Sequence, residues 1–205
     1  MIMRIHGIKS IVGLAALALA AGISCVRGPD DRELLSAARK TTDVFAAQLK
    51  AALTSALSDS GVVGAVEICS EMAPRIAGAN SACGFEIKRT SLRFRNPQNA
   101  PDQFESGVLL RLEENFPLQD EFYSWSDADR KRVFRYLKSI KIVPLCQNCH
   151  GDPAGFDSAL VTSIAARYPD DKATGYKNGD FRGAFSVKIT WPDARATVDS
   201  INRSP

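Results

Sequence analysis

The sequence predicts an α+β domain with a long N-terminal helix, and three observations predict it. Leu34, Ala38, Phe45, Leu49, Leu53 and Leu57 recur at spacings near four, with Lys, Arg, Asp and Gln between them, which is the pattern of a helix with one buried stripe. Two β-forming runs, 133–143 and 181–191, come late in the chain. The helical and strand segments do not alternate regularly, as a parallel sheet with crossover helices requires.

The first element is a leader. In MIMRIHGIKSIVGLAALALAAGISC, Arg4 and Lys9 precede an uncharged apolar run of 13 residues, Ile11 to Ile23. A membrane span needs about 20, whereas this length suits the core of an export signal. Ala18 and Ala20 form an Ala-x-Ala cleavage site. Cleavage before Cys25 is the alternative and would leave a lipid-modified cysteine, although Gly22 stands where Leu is usual. The expected division is therefore a signal peptide over 1–25 and a single domain over 26–205. The expected location is the periplasm or another exported compartment, with a lipid or signal anchor as the sole membrane tie. No later run reads as a span.

Gly28 to Asp31 is a short linker. A helix is expected from Arg32 to Leu57, broken by SDSG (58–61), with a second from Val62 to Ala77. Cys69 and Met72 are three apart and share the apolar face of the second helix. FEIKRTSLRF (85–94) reads as a strand, and RNPQNAP forces turns. Phe104, Val108 and Leu112 place a helix over 102–115. Residues 116–129, with Trp125, read as a loop. Phe134, Tyr136, Ile140 and Ile142 share one parity of the strand 133–143, which Pro144 ends. A helix over 159–168, a turn-rich stretch and a final strand, FRGAFSVKITW, complete the chain.

Composition excludes some classes. Hydrophobic residues make up 45% and charged residues 24% of 205 residues, values of an ordinary globular chain. Net charge is +3, and loss of Arg4 and Lys9 with the leader leaves about +1. Such a chain offers no electrostatic case for nucleic acid.

Five cysteines are present. Setting Cys25 aside leaves Cys69, Cys83, Cys146 and Cys149, an even number that in an oxidising compartment suits disulfides. LCQNCHG (145–151) offers another use. C-x-x-C-H is the attachment signature of c-type haem. Two thiols separated by two residues can each form a thioether to one haem vinyl group, and the adjacent histidine is carried under the ring to ligate iron. Three competitors stand beside it: zinc held by Cys146, Cys149, His150 and a further cysteine, a thiol–disulfide exchanger, and a structural disulfide. Zinc pairs usually have residues between their ligands, and the exchanger motif normally opens a helix in a βαβ setting.

Histidine is scarce: the chain has only His6, in the leader, and His150. Bis-histidine ligation within one mature chain is excluded. The sixth iron position falls to Cys69, Met72, Cys83, a lysine, water or nothing. A Cys69–Cys83 disulfide would remove the thiolate choice. Arg89, Arg93, Arg95 and Arg182 are candidates for haem propionates, which suit a guanidinium fork. Ion pairs with Asp102, Glu105, Asp170 or Asp180 are the rival reading. Tyr168, Phe181 and Phe185 read as core.

Four stretches carry a family likeness: VEICSEMAPRIA (66–77), RTSLRFRNPQNAPDQFE (89–105), YLKSIKIVPLCQNCHG (136–151) and YPDDKATGYKNGDFRGAFSV (168–187). Together they resemble the c-type haem-binding PAS-like domains, found alone in exported bacterial proteins and as sensor modules of membrane kinases. The resemblance implies a PAS-like antiparallel sheet flanked by helices, with one covalent haem c held against it. It also implies axial ligation by His150 and Cys69. Cys83 has no counterpart in that pattern.

The expected protein is an exported monohaem c-type cytochrome, acting in electron transfer or in redox or gas sensing rather than as a catalyst. With no output domain before Pro205, a sensor would need a separate signalling partner, and an electron carrier a redox partner. The alternative is an exported binding module without haem, held by disulfides or zinc.

Overall fold

The computed structural model describes residues 29–204, with Asp129 excepted. The expected leader, its expected cleavage sites and Cys25 lie outside the described residues.

Helix α1 (Asp31–Ala79) opens on Asp30, whose carboxylate accepts the Arg32 N–H at 2.9 Å. It is interrupted once, at Gly61, where φ is 64° and ψ is −170°. This left-handed conformation suits glycine, which has no Cβ to clash. A straight helix would hold residues 48 and 80 roughly 48 Å apart at 1.5 Å per residue. Instead Asn80 Nδ2 donates to Gln48 Oε1 at 2.6 Å. The element is therefore a hairpin of two arms, 31–60 and 62–79, turned at the break that SDSG predicts. By length and composition α1 would pass for a membrane span, but the reversal at Gly61 makes it a pair of short arms.

The sheet has four antiparallel strands: β1 (Phe85–Thr90), β2 (Glu121–Ala128), β3 (Lys131–Lys141) and β4 (Phe181–Trp191), in the order β1-β4-β3-β2. Side chains alternate between its faces. Phe134, Tyr136, Val187 and Ile189 face Leu34, Ala37, Ala38 and Phe45 of α1, with Val198 of helix α5 (Arg195–Arg203) in the same cluster. Leu137 and Ala184 point the other way, against Val108, Leu109 and Leu112 of helix α2 (Gln103–Asn115). Helix α4 (Ser158–Arg167) packs Leu160 and Ile164 against Val66 of the second α1 arm. The α+β expectation, with its antiparallel sheet, flanking helices and long N-terminal helix, is met.

Three local expectations change. Residues 121–128 form β2 rather than a loop. This edge strand is half exposed on both faces, so it lacks the apolar alternation that marks a strand. Tyr123 and Trp125 pack on Phe134. The strand from Phe85 stops at Thr90, because Ser91 Oγ accepts the Arg93 N–H and turns the chain. Pro144 does more than end β3: it occupies the first turn of a short helix, α3 (Pro144–His150), where its missing N–H costs nothing.

Arg39 of α1 clamps Glu121 of β2, and Tyr136 Oη donates to the same carboxylate at 3.0 Å. The Arg39 hydrogen bond chiefly holds the Glu121 carboxyl below its usual value; burial opposes it and Tyr136 assists. A depressed carboxylate contributes stability above its unfolded pKa and loses it as pH falls through the folded value. Acid unfolding of Glu121→Gln, followed by circular dichroism, should therefore show a shallower stability loss below the usual carboxylate range than the parent.

Gly183 in β4 has φ 140°, and a Cβ there would sit 2.4 Å from the Thr90 carbonyl oxygen. Neither backbone can move without breaking the β1–β4 ladder. Gly183→Ala should lose roughly 2–3 kcal/mol of stability, read from the midpoint of chemical denaturation.

Candidate functional site

The sheet face covered by α1 does not close completely. A cavity of about 490 Å³ lies between both α1 arms, the Arg89 end of β1, Phe185 of β4 and α3, within the size range of small-molecule and cofactor sites. Leu49, Leu53, Leu57, Val66, Ile142, Phe94 and Phe185 supply apolar wall. Five cations line it, Lys50, Arg89, Arg95, Lys141 and Arg182, and its lining contains no carboxylate.

Most of the site residues singled out from the sequence reach this cavity: Cys146, Cys149 and His150 from α3, Cys69 from the second α1 arm, and Arg89, Arg95 and Arg182. They come from five separate parts of the chain. Met72 lines it too. Phe181 packs in the α2 cluster, Phe185 against the cluster of Phe45 and Tyr168 against that of Val66, as expected, and the last two also form cavity wall. Arg93 is not in the lining: it donates to the carbonyls of Lys172 and Thr174 and stacks on Tyr176.

Helix α3 puts Cys146 and Cys149 three residues apart, and so on one side of a single turn. Gly151 follows because a Cβ there would meet the Gln147 carbonyl oxygen at 2.6 Å. His150 Nδ1 lies 2.6 Å from the Ala173 carbonyl oxygen. A carbonyl only accepts, so Nδ1 carries the proton and Nε2 keeps its lone pair. Burial, then Arg182 and Arg95, hold the ring pKa well below its ordinary value against the Ala173 hydrogen bond. His150 is thus a neutral imidazole with one free ligating nitrogen.

The four described cysteines are free. Cys69 is half-buried and Cys83 exposed. Ten helical residues, roughly 15 Å, separate Cys69 from the end of α1. From Phe85, β1 then returns to place Arg89 in the same cavity as Cys69. Cys83 is left at the far end of both elements, far beyond the Cα separation of a disulfide. Burial raises the Cys69 and Cys149 thiol pKa values, opposed by Arg89 and Arg95 respectively. Among the described residues no three His, Cys, Asp or Glu side chains converge as a metal ion requires.

The arginines divide into two kinds. Arg95 is committed to protein: it pairs with Asp171 at 2.9 Å and donates to the Cys149 carbonyl at 2.6 Å. Arg182 donates to Ser91 Oγ and the Arg93 carbonyl and meets no carboxylate among the described residues. Arg89 likewise has no carboxylate partner there. Burial lowers its pKa, with Tyr168 and Cys69 opposing. Sequence reasoning missed Asp171 and the Ala173 carbonyl as partners of the motif. A backbone acceptor has no side-chain signature, and the stretch that holds both residues read only as turn-rich.

Fold and site define a class: an α+β domain whose helical hairpin and antiparallel sheet enclose a cysteine- and histidine-lined, cation-rich apolar cavity. Residues 30–190 match the family model described as Tll0287-like, and the chain belongs to that family. The crystal structure of the cyanobacterial haem protein Tll0287 superposes with a TM-score of 0.57 at 21% identity, covering 80% of this chain and 99% of that one. No curated protein matches the chain.

Proposed function

We propose that this protein is an exported, PAS-like monohaem c-type cytochrome that serves electron transfer or redox sensing. Cys146 and Cys149 would form the thioether links, and His150 Nε2 and the Cys69 sulfur would hold the iron. One observation carries the reading: Cys69 and the Cys146–Cys149–His150 motif, remote from each other in sequence, line one apolar cavity of about 490 Å³. The cavity's charge fits as well. Haem is an apolar macrocycle with two carboxylates, and the lining presents two guanidinium groups, Arg89 and Arg182, without carboxylate partners among the described residues. Membership in a family with a solved haem protein adds support.

Bound there, haem would supply one-electron chemistry that no side chain of the chain can provide. The chain's own part is to hold and tune. Ala173 keeps the His150 proton on Nδ1. Arg89 offsets the cost of a buried Cys69 thiolate. Apolar wall from both α1 arms limits water. No acid–base residue comparable to a distal histidine is present, since His150 is the sole histidine outside the leader; peroxidase chemistry is therefore not proposed.

Expression with haem-maturation machinery, followed by denaturing extraction, tests the reading. Haem that stays with the chain supports it. A colourless protein, beside a control cytochrome that matures in the same cells, returns LCQNCHG to zinc or a disulfide. Carbon monoxide then separates the two uses: binding to the reduced protein with loss of the Cys69 ligand favours sensing, and an inert ferrous site favours electron transfer.

A further inference from the structure

We infer that Arg95 and Asp171 act as one positioning unit for His150, rather than Arg95 serving as a ligand for an anionic group. The inference rests on the reading of His150 as the iron ligand only for its consequence; the unit itself belongs to the polypeptide.

The segment 171–176 closes over the C-terminal turn of α3. Its backbone makes three hydrogen bonds to that turn: His150 Nδ1 to the Ala173 oxygen at 2.6 Å, Gly175 N–H to the Gly151 oxygen at 2.6 Å, and Tyr176 N–H to the His150 oxygen at 2.9 Å. Asp171 sets the segment's shape, because its Oδ1 accepts the Ala173 N–H at 2.9 Å. Its other oxygen takes Arg95 Nε at 3.1 Å and Nη2 at 2.9 Å. Arg95 Nη2 also reaches the Cys149 oxygen at 2.6 Å, with the Ala173 oxygen at 3.5 Å. One guanidinium therefore ties the carbonyl before His150 to the acid that orients the acceptor of His150. Both side chains are nearly buried, at 12% and 9% exposure, so water does not substitute readily for either.

The planar fork matters as much as the charge. An ammonium is a point charge and cannot span these acceptors in one plane. Loss of either partner frees the Ala173 peptide to rotate and releases the His150 ring from its single tautomer. The unit is a positioning device: neither side chain is needed to touch a bound group.

The test uses 15N-histidine labelling of the full chain, haem-free and haem-loaded in the ferrous state. The sequence holds two histidines, His6 and His150, so His150→Gln assigns the ring signal. The parent should show one Nδ1-protonated ring with slowly exchanging Nδ1–H. Arg95→Gln and Asp171→Asn, which remove opposite charges, should both accelerate that exchange by about tenfold or more, as loss of one hydrogen bond implies. Both should also populate the second tautomer. Arg95→Lys should do the same to a smaller degree, and it carries the test if Arg95→Gln does not fold. Wild-type tautomer and exchange in a folded Asp171→Asn or Arg95→Lys chain would overturn the inference. So would opposite responses to Arg95→Gln and Asp171→Asn, the mark of a purely Coulombic role. The haem-free measurement does not depend on the haem reading, so a chain that takes up no haem but shows the tautomer change fails the one and keeps the other.

Discussion

Replacing Cys69 with alanine should raise the midpoint potential of the haem-loaded protein and abolish its low-spin oxidised spectrum. A thiolate donates charge to iron and favours the ferric state, and axial ligands move haem potentials over roughly 0.8 V, so a rise on the order of 0.1 V is the minimum expected. The geometry makes the effect specific. Cys69 is half-buried, and His150, the one histidine of the lining, and Arg89 share its cavity. The haem-free chain should barely notice: one sulfur is lost at a partly exposed site, and the change in stability should stay below about 1 kcal/mol. Redox titration with absorption spectroscopy decides. An unchanged spectrum would move the sulfur role to Met72, which lines the same cavity from the next turn of the arm. Cys83 is too far away to inherit it.

The double variant Cys146→Ala, Cys149→Ala should lose all haem that survives denaturing extraction while keeping the fold. The two thiols are the only proposed covalent attachment, so the retained fraction should fall from near complete to background. The fold should persist because α3 contributes no fully buried residue, and the main clusters are built by α1, α2, α5 and the sheet. Circular dichroism with pyridine-haemochrome absorption reads both quantities in one sample. Retained haem would mean that attachment runs through another residue. Each single variant should keep one thioether and give an intermediate spectrum. His150→Ala differs in kind: it removes the ligand and leaves both attachment points.

Much of the site was legible in the chain before folding. C-x-x-C-H is a local signature, so Cys146, Cys149 and His150 needed no tertiary information. Cys69 was legible because helical periodicity puts it on an apolar face, where a thiol must either pack or ligate. SDSG marked the hairpin turn at Gly61, and the parity of Phe134 and Tyr136 marked the buried face of β3. Edge strand β2 was not legible, since half-exposed faces blur the two-residue period. Helix α5 was missed although it is amphipathic: its nine residues are mostly polar, with Val198 the one buried side chain, so the stretch after the last strand reads as a short polar tail.

What the sequence determined by itself was therefore whatever depends on neighbours within a turn or two: the C-x-x-C-H motif, the amphipathic arms and the break between them at SDSG. What only the tertiary structure decided was which distant groups meet. Arg89 and Arg182 remain without carboxylates beside the cavity, while Arg95 is taken by Asp171, 76 residues away in sequence. Three arginines of one type, alike to any local rule, receive different roles because ion pairing depends on distance in space. The Ala173 carbonyl that holds His150 is the extreme case. Every residue has such a carbonyl, and only the path of the folded chain selects this one.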